Sequence, residues 1–208
     1  MKHAPIFQNY EFLADKADRI FQNILGEHGE CVSCGEKCSD CCNAVFGLFL
    51  IEAAFIKYRF DLLDSEKKKS ILLRCDQADR ELKKLERVLK EFENDPNMTS
   101  YTMARNRIRC PLLDDENKCS IYQCRPVTCR VYGIPTSIHG KVRTCGKAKF
   151  DSGRQYPVFD LDGAYRDLYT LSCELLDLLG ETDKNKASLL ISVPKALTTP
   201  VEQFLKEL

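Results

Sequence analysis

The sequence contains no tryptophan and only three histidines among 208 residues, and its 31 Lys and Arg residues balance 31 Asp and Glu residues. A zero net charge removes the simplest argument for a nucleic-acid partner, because nucleic-acid-binding domains are commonly basic. The 44% hydrophobic and 30% charged residues are near the averages of globular proteins, which excludes wholesale disorder and fibrous repeats. The length predicts one domain or one enlarged domain.

Long apolar runs are also missing. The longest, Val45 to Ile56, is interrupted by Glu52, and it is far shorter than the ~20 residues needed to cross a bilayer, so no membrane association is expected. The N-terminus lacks the apolar stretch of about 7–15 residues found in a secretory signal. We therefore expect a cytoplasmic protein, in which cysteines are used for metal ligation or redox chemistry rather than for disulfides.

The familiar catalytic patterns are absent as well. The sequence has no phosphate-binding glycine loop, GxSxG, HExxH or DxDxDG motif. The histidines His3, His28 and His139 do not have the spacing of metal ligands, and His139 beside Gly140 is typical of a turn. Any chemistry must therefore depend on the cysteines.

Hydrophobic periodicity predicts a mainly α protein. The predicted helices are residues 9–27, Val45–Leu63 with Asn43 as its cap, Ser65–Phe92 ending at Asn94–Asn97, Leu161–Leu178 before Gly180, and Thr199–Leu208. The second is apolar on nearly every side, which predicts a helix buried in the core. The third carries a heptad seam typical of an arm packed on a neighbouring helix, although the seam can also support dimerisation.

Residues 105–160 have a different texture, with short β-prone pieces, prolines and glycines. They predict a loop-rich region with one hairpin, in which His139-Gly140 joins Val131–Ile138 to Lys141–Thr144. We expect a single domain over residues 1–208, in which residues 1–95 carry helices and the first cysteines, residues 105–160 form the metal-binding region, and residues 161–208 are again helical. The sequence does not indicate an oligomeric state.

Cysteine is abundant, with twelve residues, too many for a chain that has no chemical use for thiols. Ten of them fall in two groups of five. The first group is Cys31-x2-Cys34-x3-Cys38-x2-Cys41-Cys42, and the second is Cys110-x8-Cys119-x4-Cys124-x4-Cys129-x15-Cys145. The other two, Cys75 and Cys173, lie at apolar positions of predicted helices, and we interpret them as small buried hydrophobic residues.

The spacing of the first group argues against a zinc ribbon. A C-x2-C turn lets two thiolates approach one ion, as in zinc and iron–sulfur sites. A ribbon separates its two turns by about 15–20 residues, far more than the gap between Cys34 and Cys38. Adjacent side chains such as Cys41 and Cys42 tend to point apart. We infer two centres, or one multinuclear centre, completed by the second group, since eight of the ten clustered thiols would make two four-thiolate sites.

Charge supports a metal near the second group. Residues 105–149 contain ten Lys or Arg and three acids, a local balance of +7, whereas a four-thiolate zinc site or [4Fe–4S] cluster carries about −2. The alternative is a basic surface that faces only solvent or an anionic partner. Pro126 predicts a short helix that leaves Arg125 near the thiolates. Glu52 is interpreted as a buried carboxylate paired with Lys or Arg, with a metal ligand or general base as the alternative.

Several short stretches around the cysteines are shared with a known family. They are Cys31-Val32-Ser33-Cys34-Gly35 with Cys41-Cys42, Cys110-Pro111-Leu112-Leu113-Asp114, Cys119-Ser120-Ile121-Tyr122, and Arg125-Pro126-Val127-Thr128-Cys129-Arg130-Val131-Tyr132. In these residues the sequence resembles the YkgJ-type zinc- or iron-chelating proteins, a family named for a CxxCxxCC-like pattern. The resemblance spans about residues 31–145.

The resemblance implies metal binding through cysteine, with zinc or iron as the metal. The implied ligands are Cys31, Cys34, Cys41, Cys42, Cys110, Cys119 and Cys129, with Cys145 as an additional member. Cys38 lengthens the first motif relative to the compact form of the family, so it stays a candidate ligand together with Cys41 and Cys42. Cys124 is treated as a spare thiol.

Three functions follow as hypotheses. The first is a metal-binding protein with one or two zinc or iron centres, a [4Fe–4S] cluster included, in a structural or chelating role. The second is an iron–sulfur oxidoreductase or a protein-modifying enzyme, because flagellin lysine N-methylases are similar in their cysteine pattern. The third is a metal-stapled interaction module that docks on a protein partner. Four closed ligands per metal favour a structural ion, whereas an open position favours catalysis.

Overall fold

A computed structural model describes residues 4–35, 38–201 and 203, and 60% of it is helical. The α-helices are α1 Ala4–His28, α2 Leu50–Asp61, α3 Ser65–Lys90, α4 Pro96–Arg105, α5 Val127–Val131, α6 Leu161–Leu178 and α7 Val193–Thr198. Short 3₁₀ turns cover Gly29–Cys31, Cys41–Asn43, Tyr122–Cys124 and Lys184–Ser188. The strands are β1 Thr136–Ile138, β2 Lys141–Arg143 and β3 Phe159–Asp160. The predicted fold class, mainly α with a short hairpin, is confirmed.

Helix α2 lies in the core, as its apolar composition predicts. Its residues from Leu50 to Ile56 are all buried, and the helix packs against α6 and α7. Helix α1 is amphipathic and turns one face, including the fully enclosed Tyr10 and Ala17, toward α5 and α6. Over the described ranges, no helix has both the length and the apolar character required to span a bilayer.

The start of α2 differs from the prediction. The helix begins at Leu50 rather than Val45, because the preceding residues are extended and pair with distant segments. Leu48 exchanges backbone hydrogen bonds with Ile191 at 2.8 Å in each direction. Asn43 does not cap this helix, since its side-chain amide donates to the carbonyl of Ser39 at 2.8 Å.

Helix α3 has the predicted seam and packs on α7, with Ile71, Cys75 and Ala78 buried. The residues predicted to end it also begin an unpredicted helix, α4. The Asp95 side chain accepts the N–H groups of Asn97 and Met98 at 3.0 Å each. Pro96 occupies the first turn of α4, where its missing N–H costs nothing. An Asp-Pro pair can therefore stop one helix and start the next.

The last helix also differs from the prediction. The structure has α7, which begins at Val193 after the Ser192 cap. The predicted helix Thr199–Leu208 falls mainly on residues 202 and 204–208, which are outside the described part of the chain.

The predicted hairpin is present, with shorter strands than expected. His139 and Gly140 have φ values of 50° and 67°, the positive pair that a two-residue type I′ hairpin turn requires. The first strand begins at Thr136 rather than Val131, because Val131 belongs to α5. The third strand, β3, was not predicted and pairs parallel with β1.

Two buried charged side chains hold α5 in place. Glu52, 2% exposed, accepts the N–H of Phe49 at 3.2 Å and the N–H of Val127 at 3.0 Å. It thus joins the first turns of α2 and α5, and its hydrogen-bond partners are backbone groups rather than the Lys or Arg that we expected. Arg130 forms an ion pair with Asp18 of α1. Helix α5 is therefore anchored on both sides.

Burial raises the pKa of Glu52 to about 7, although the two N–H groups and Arg130 act to lower it. The folded pKa lies above the unfolded value, so the stability that the protonated carboxyl supports is present below pH ~4.5 and is lost as the pH rises to about 7. The loss is about 3 kcal/mol. We predict that the stability difference between wild type and Glu52→Gln shrinks from pH 5 to pH 8 in urea unfolding. Exposed Glu174→Gln should show a constant difference, and a constant difference at Glu52 would contradict the assignment.

Candidate metal centre

Backbone pairing brings the two cysteine groups together. Residues 42–44 run antiparallel to residues 107–110, and within this ladder the N–H of Cys110 donates to the carbonyl of Cys42 at 2.7 Å. A second contact joins the outer ends of the two groups, where the N–H of Lys149 donates to the carbonyl of Cys31 at 2.8 Å. The groups therefore share one region of the molecule, as a joint site requires.

Three cysteines of the second group lie in turns whose backbone N–H groups face their sulfurs. The donors are Leu112 for Cys110, Ile121 for Cys119 and Lys147 for Cys145, the last at 3.4 Å. A bridge between Leu113 and Cys119 closes the first two turns into one loop, with Asn117 left-handed at a φ of 61°. Each N–H favours the thiolate over the thiol, which is the form that binds metal.

Five cysteines from both groups line one open cleft of about 740 Å³. They are Cys41, Cys42, Cys110, Cys119 and Cys129, which we name the inner cluster. The Sγ atoms of Cys41 and Cys42 are 4.0 Å apart, close to the ~3.8 Å between two sulfurs on one tetrahedral zinc ion. The Cys129 thiol also forms a hydrogen bond with Cys41. The inner cluster thus brings neighbouring sulfurs to the spacing of ligands.

The expectation that Cys41 and Cys42 point apart is wrong. Both residues lie in the 3₁₀ turn Cys41–Asn43, whereas the expectation fits an extended chain, in which successive side chains alternate between faces. The tight curl of the turn lets adjacent side chains converge. Neighbouring positions in the sequence can therefore serve one centre.

Hydrogen bonds place the negative charge of the inner cluster on Cys41. The thiols of Cys129 and Cys42 both donate to its sulfur and lower its pKa, and the same bonds raise the pKa of each donor. Burial raises the pKa of Cys110 to about 12 and also raises that of Cys119. A metal ion bound here must therefore displace protons, which couples affinity to pH.

A second set of thiols lies beside the inner cluster. Cys38 and Cys145 are half-buried, and Cys34 is exposed although its sulfur rests against Gly133. Burial, followed by the charges of the neighbouring Cys38, Cys145 and Cys41, raises the pKa of Cys34 to about 11. Asp40 belongs to this set, because its Oδ2 lies 3.4 Å from the Cys145 sulfur. We name Cys34, Cys38, Asp40 and Cys145 the outer group.

Asp40 is a site residue that the sequence analysis missed. Its Oδ1 accepts from Arg107 at 2.7 Å and lies 3.6 Å from the Lys147 ammonium. Although burial acts to raise it, the pKa of Asp40 is lowered by the Cys145 hydrogen bond and by these two cations. Its position directly before Cys41 is the only sequence signal for its role.

Cys31 is placed apart from both sets. Its buried sulfur lies 3.8 Å from the Glu30 carboxylate and 4.0 Å from the Tyr156 hydroxyl. Tyr156 packs edge-on against His28 and Phe150. The expected grouping of Cys31 with Cys34 around one centre is therefore not present in this arrangement of side chains.

Arg125 is the cation shared by the two sets. It lines the same cleft as the inner cluster, and its charge acts to lower the pKa values of Cys34, Cys41 and Cys119. The guanidinium stacks on Tyr122 at 3.7 Å from the ring centre. The predicted location of Arg125 near the thiols is confirmed.

The remaining cysteines belong to the packing. Cys75 is 1% exposed and lies in the hydrophobic core, and the half-buried Cys173 packs against that core. The sulfur of buried Cys124 accepts a hydrogen bond from Arg59 Nε at 3.0 Å. Their surroundings agree with the interpretation of Cys75 and Cys173 as small apolar residues.

A family model matches residues 30–146, more than half of the chain, and its description is CxxCxxCC, putative zinc- or iron-chelating domain. The chain belongs to this family. The match includes both cysteine groups, from the residue before Cys31 to the residue after Cys145. No curated protein and no solved structure matches the chain significantly.

The donors of the CxxCxxCC domain fit zinc or iron by their chemistry, since soft thiolates suit both zinc and iron–sulfur clusters. Pairs of donors already have ligand-like spacing, as the 4.0 Å between the Cys41 and Cys42 sulfurs shows. In the part of the chain that the structure describes, no group of three or more His, Cys, Asp or Glu side chains is arranged to hold an ion as it stands. Binding therefore requires side-chain rotation within the sets.

Gly133 of the CxxCxxCC domain gives the outer group room, because a Cβ built there collides with the Cys34 sulfur. We predict that Gly133→Ala turns this sulfur outward and speeds alkylation of Cys34 severalfold in reduced, metal-free protein, measured site by site by mass spectrometry. Gly26→Ala is the control, since nothing lies within 4 Å of its added Cβ. An unchanged alkylation rate in folded Gly133→Ala would show that the sulfur does not depend on this glycine.

Proposed function

We propose that this protein binds zinc or iron through thiolates of the inner cluster. The observation that carries the proposal is that cysteines from distant segments line one cleft, with the Cys41 and Cys42 sulfurs 4.0 Å apart. Four thiolates satisfy a tetrahedral ion or a [4Fe–4S] cluster. The inner cluster has one sulfur more than that number, so an exchange of ligands is available inside it.

The residues around Cys129 support its role as a ligand. It lies in α5 between Val127, whose N–H bonds to Glu52, and Arg130, which pairs with Asp18. Ligands held on such an anchored element lose little side-chain and backbone freedom when an ion binds. Helix α5 therefore presents the Cys129 sulfur from a fixed position, while the loops carry the other four.

The openness of the cleft supports a chelating role rather than a permanently enclosed structural ion. Structural zinc sites are closed by four protein ligands, and the protein around them excludes solvent. Here the cysteines line a cleft open to solvent, through which an ion can enter and leave. When bound, the metal would supply a positive centre that joins the two cysteine groups.

Removal of one ligand tests the proposal. Anaerobically purified protein should contain zinc, or iron with acid-labile sulfide and a brown absorption spectrum, by elemental analysis. Cys129→Ser should lower metal affinity at least ~10-fold, while Cys173→Ser on α6 should keep the metal content of the wild type. Metal-free wild type under these conditions, or full metal retention in Cys129→Ser, would overturn the assignment of the inner cluster.

Metal and local order should be coupled, because residues 105–160 contain little regular structure apart from α5 and the short sheet. We predict that a strong chelator increases amide hydrogen exchange across these residues and leaves α1 and α6 protected. The measurement is exchange mass spectrometry of the same sample before and after chelation. Stripped protein that keeps full protection over residues 105–160 would show that the metal does not hold this region.

A further inference from the structure

The outer group is separated from the inner cluster by a change of side-chain direction at one peptide bond. Asp40 faces Cys145, whereas the next residue, Cys41, faces the cleft with Cys42 and Cys129. The two sets therefore have different donors and different surroundings. The outer group contains three sulfurs and one carboxylate, and it includes the exposed Cys34.

The Asp40 carboxylate is oriented as a single-oxygen ligand. Arg107 and Lys147 hold Oδ1, at 2.7 Å and 3.6 Å, and leave Oδ2 directed at the Cys145 sulfur 3.4 Å away. An oxygen and a sulfur on one tetrahedral zinc ion are about 3.6 Å apart, from bond lengths of about 2.1 and 2.3 Å. Carboxylate ligands are commonly fixed by a hydrogen bond to their second oxygen, which is the role that Arg107 takes here.

The backbone also prepares Cys145 for an ion. The Lys147 N–H donates to its sulfur at 3.4 Å, which favours the thiolate. Cys34 is pressed toward the set by Gly133 and Phe21 on its other side. The opposing charges suit a divalent cation, because three thiolates and one carboxylate around a doubly charged ion leave an excess of two negative charges. Arg107 and Lys147 offset that excess.

We propose that the outer group is a second metal site, in which the thiolates of Cys34, Cys38 and Cys145 and Oδ2 of Asp40 bind a divalent ion such as zinc. It deepens the proposed function, because it adds a second site to the same metal-binding domain. The exposed Cys34 and the carboxylate, a weaker partner for zinc than a fourth thiolate, make this ion the more exchangeable of the two.

Zinc binding to the reduced full-length protein tests the second site. Wild type should bind two zinc ions, one of which passes to a chromophoric chelator at lower chelator concentration. Asp40→Asn keeps an oxygen for Arg107 but loses the charge, and it should weaken the more exchangeable ion at least ~10-fold while the other ion is retained. Cys145→Ser leaves the ion pair of Asp40 with Arg107 intact and should give the same result even if Asp40→Asn fails to fold. Exposed Asp76→Asn is the matched control and should bind as wild type.

The outcomes separate the two proposals. Wild type that binds a single zinc ion, unaffected by Asp40→Asn and Cys145→Ser, would overturn the second site and leave the inner cluster in place. Wild type that binds no metal would overturn the proposed function itself. Loss of both ions in folded Cys145→Ser would show one shared centre and would also overturn a separate outer site.

Discussion

The antiparallel pairing of residues 42–44 with residues 107–110 is the contact on which the cysteine site depends. It joins two loops that are far apart in the chain, and its hydrogen bond from Cys110 to Cys42, at 2.7 Å, fixes which residues are neighbours. Side chains alternate along paired extended segments, so a slip of one residue would turn the Cys110 sulfur to the other face. The register of a few backbone bonds thus decides which sulfurs can share an ion.

The surrounding core supplies rigidity through groups that are costly to bury. A buried carboxylate such as Glu52 destabilises the fold unless it is hydrogen-bonded. It accepts two N–H groups at helix starts, where the helix dipole also favours negative charge. The thiols follow the opposite rule: burial raises the pKa of Cys110 to about 12 and keeps its proton in place. Arg125 and the ion itself must supply the positive charge that makes the thiolates stable.

The sequence predicted those features that depend on local pattern. Helices α3 and α6 were placed correctly because their apolar faces repeat along the chain, and the hairpin followed from His139-Gly140. The start of α2 was misplaced because the extended residue Leu48 is satisfied by Ile191, a partner that no local pattern reveals. Spacing indicated that the two cysteine groups meet, but their division into two sets depends on Gly133 and Asp40, whose roles arise only from the fold.

The division of the thiols into two sets does not make them electrically independent. The charge of Cys41, in the inner cluster, acts to raise the pKa of Cys34, in the outer group. Arg125 opposes that effect at both residues, because its guanidinium lies near sulfurs of both sets. Charges within a protein interact more strongly than charges in water, so one cation can offset thiolates of two sites at once. Proximity through the Asp40–Cys41 peptide therefore joins the two sets into one electrostatic unit, although their ligands differ.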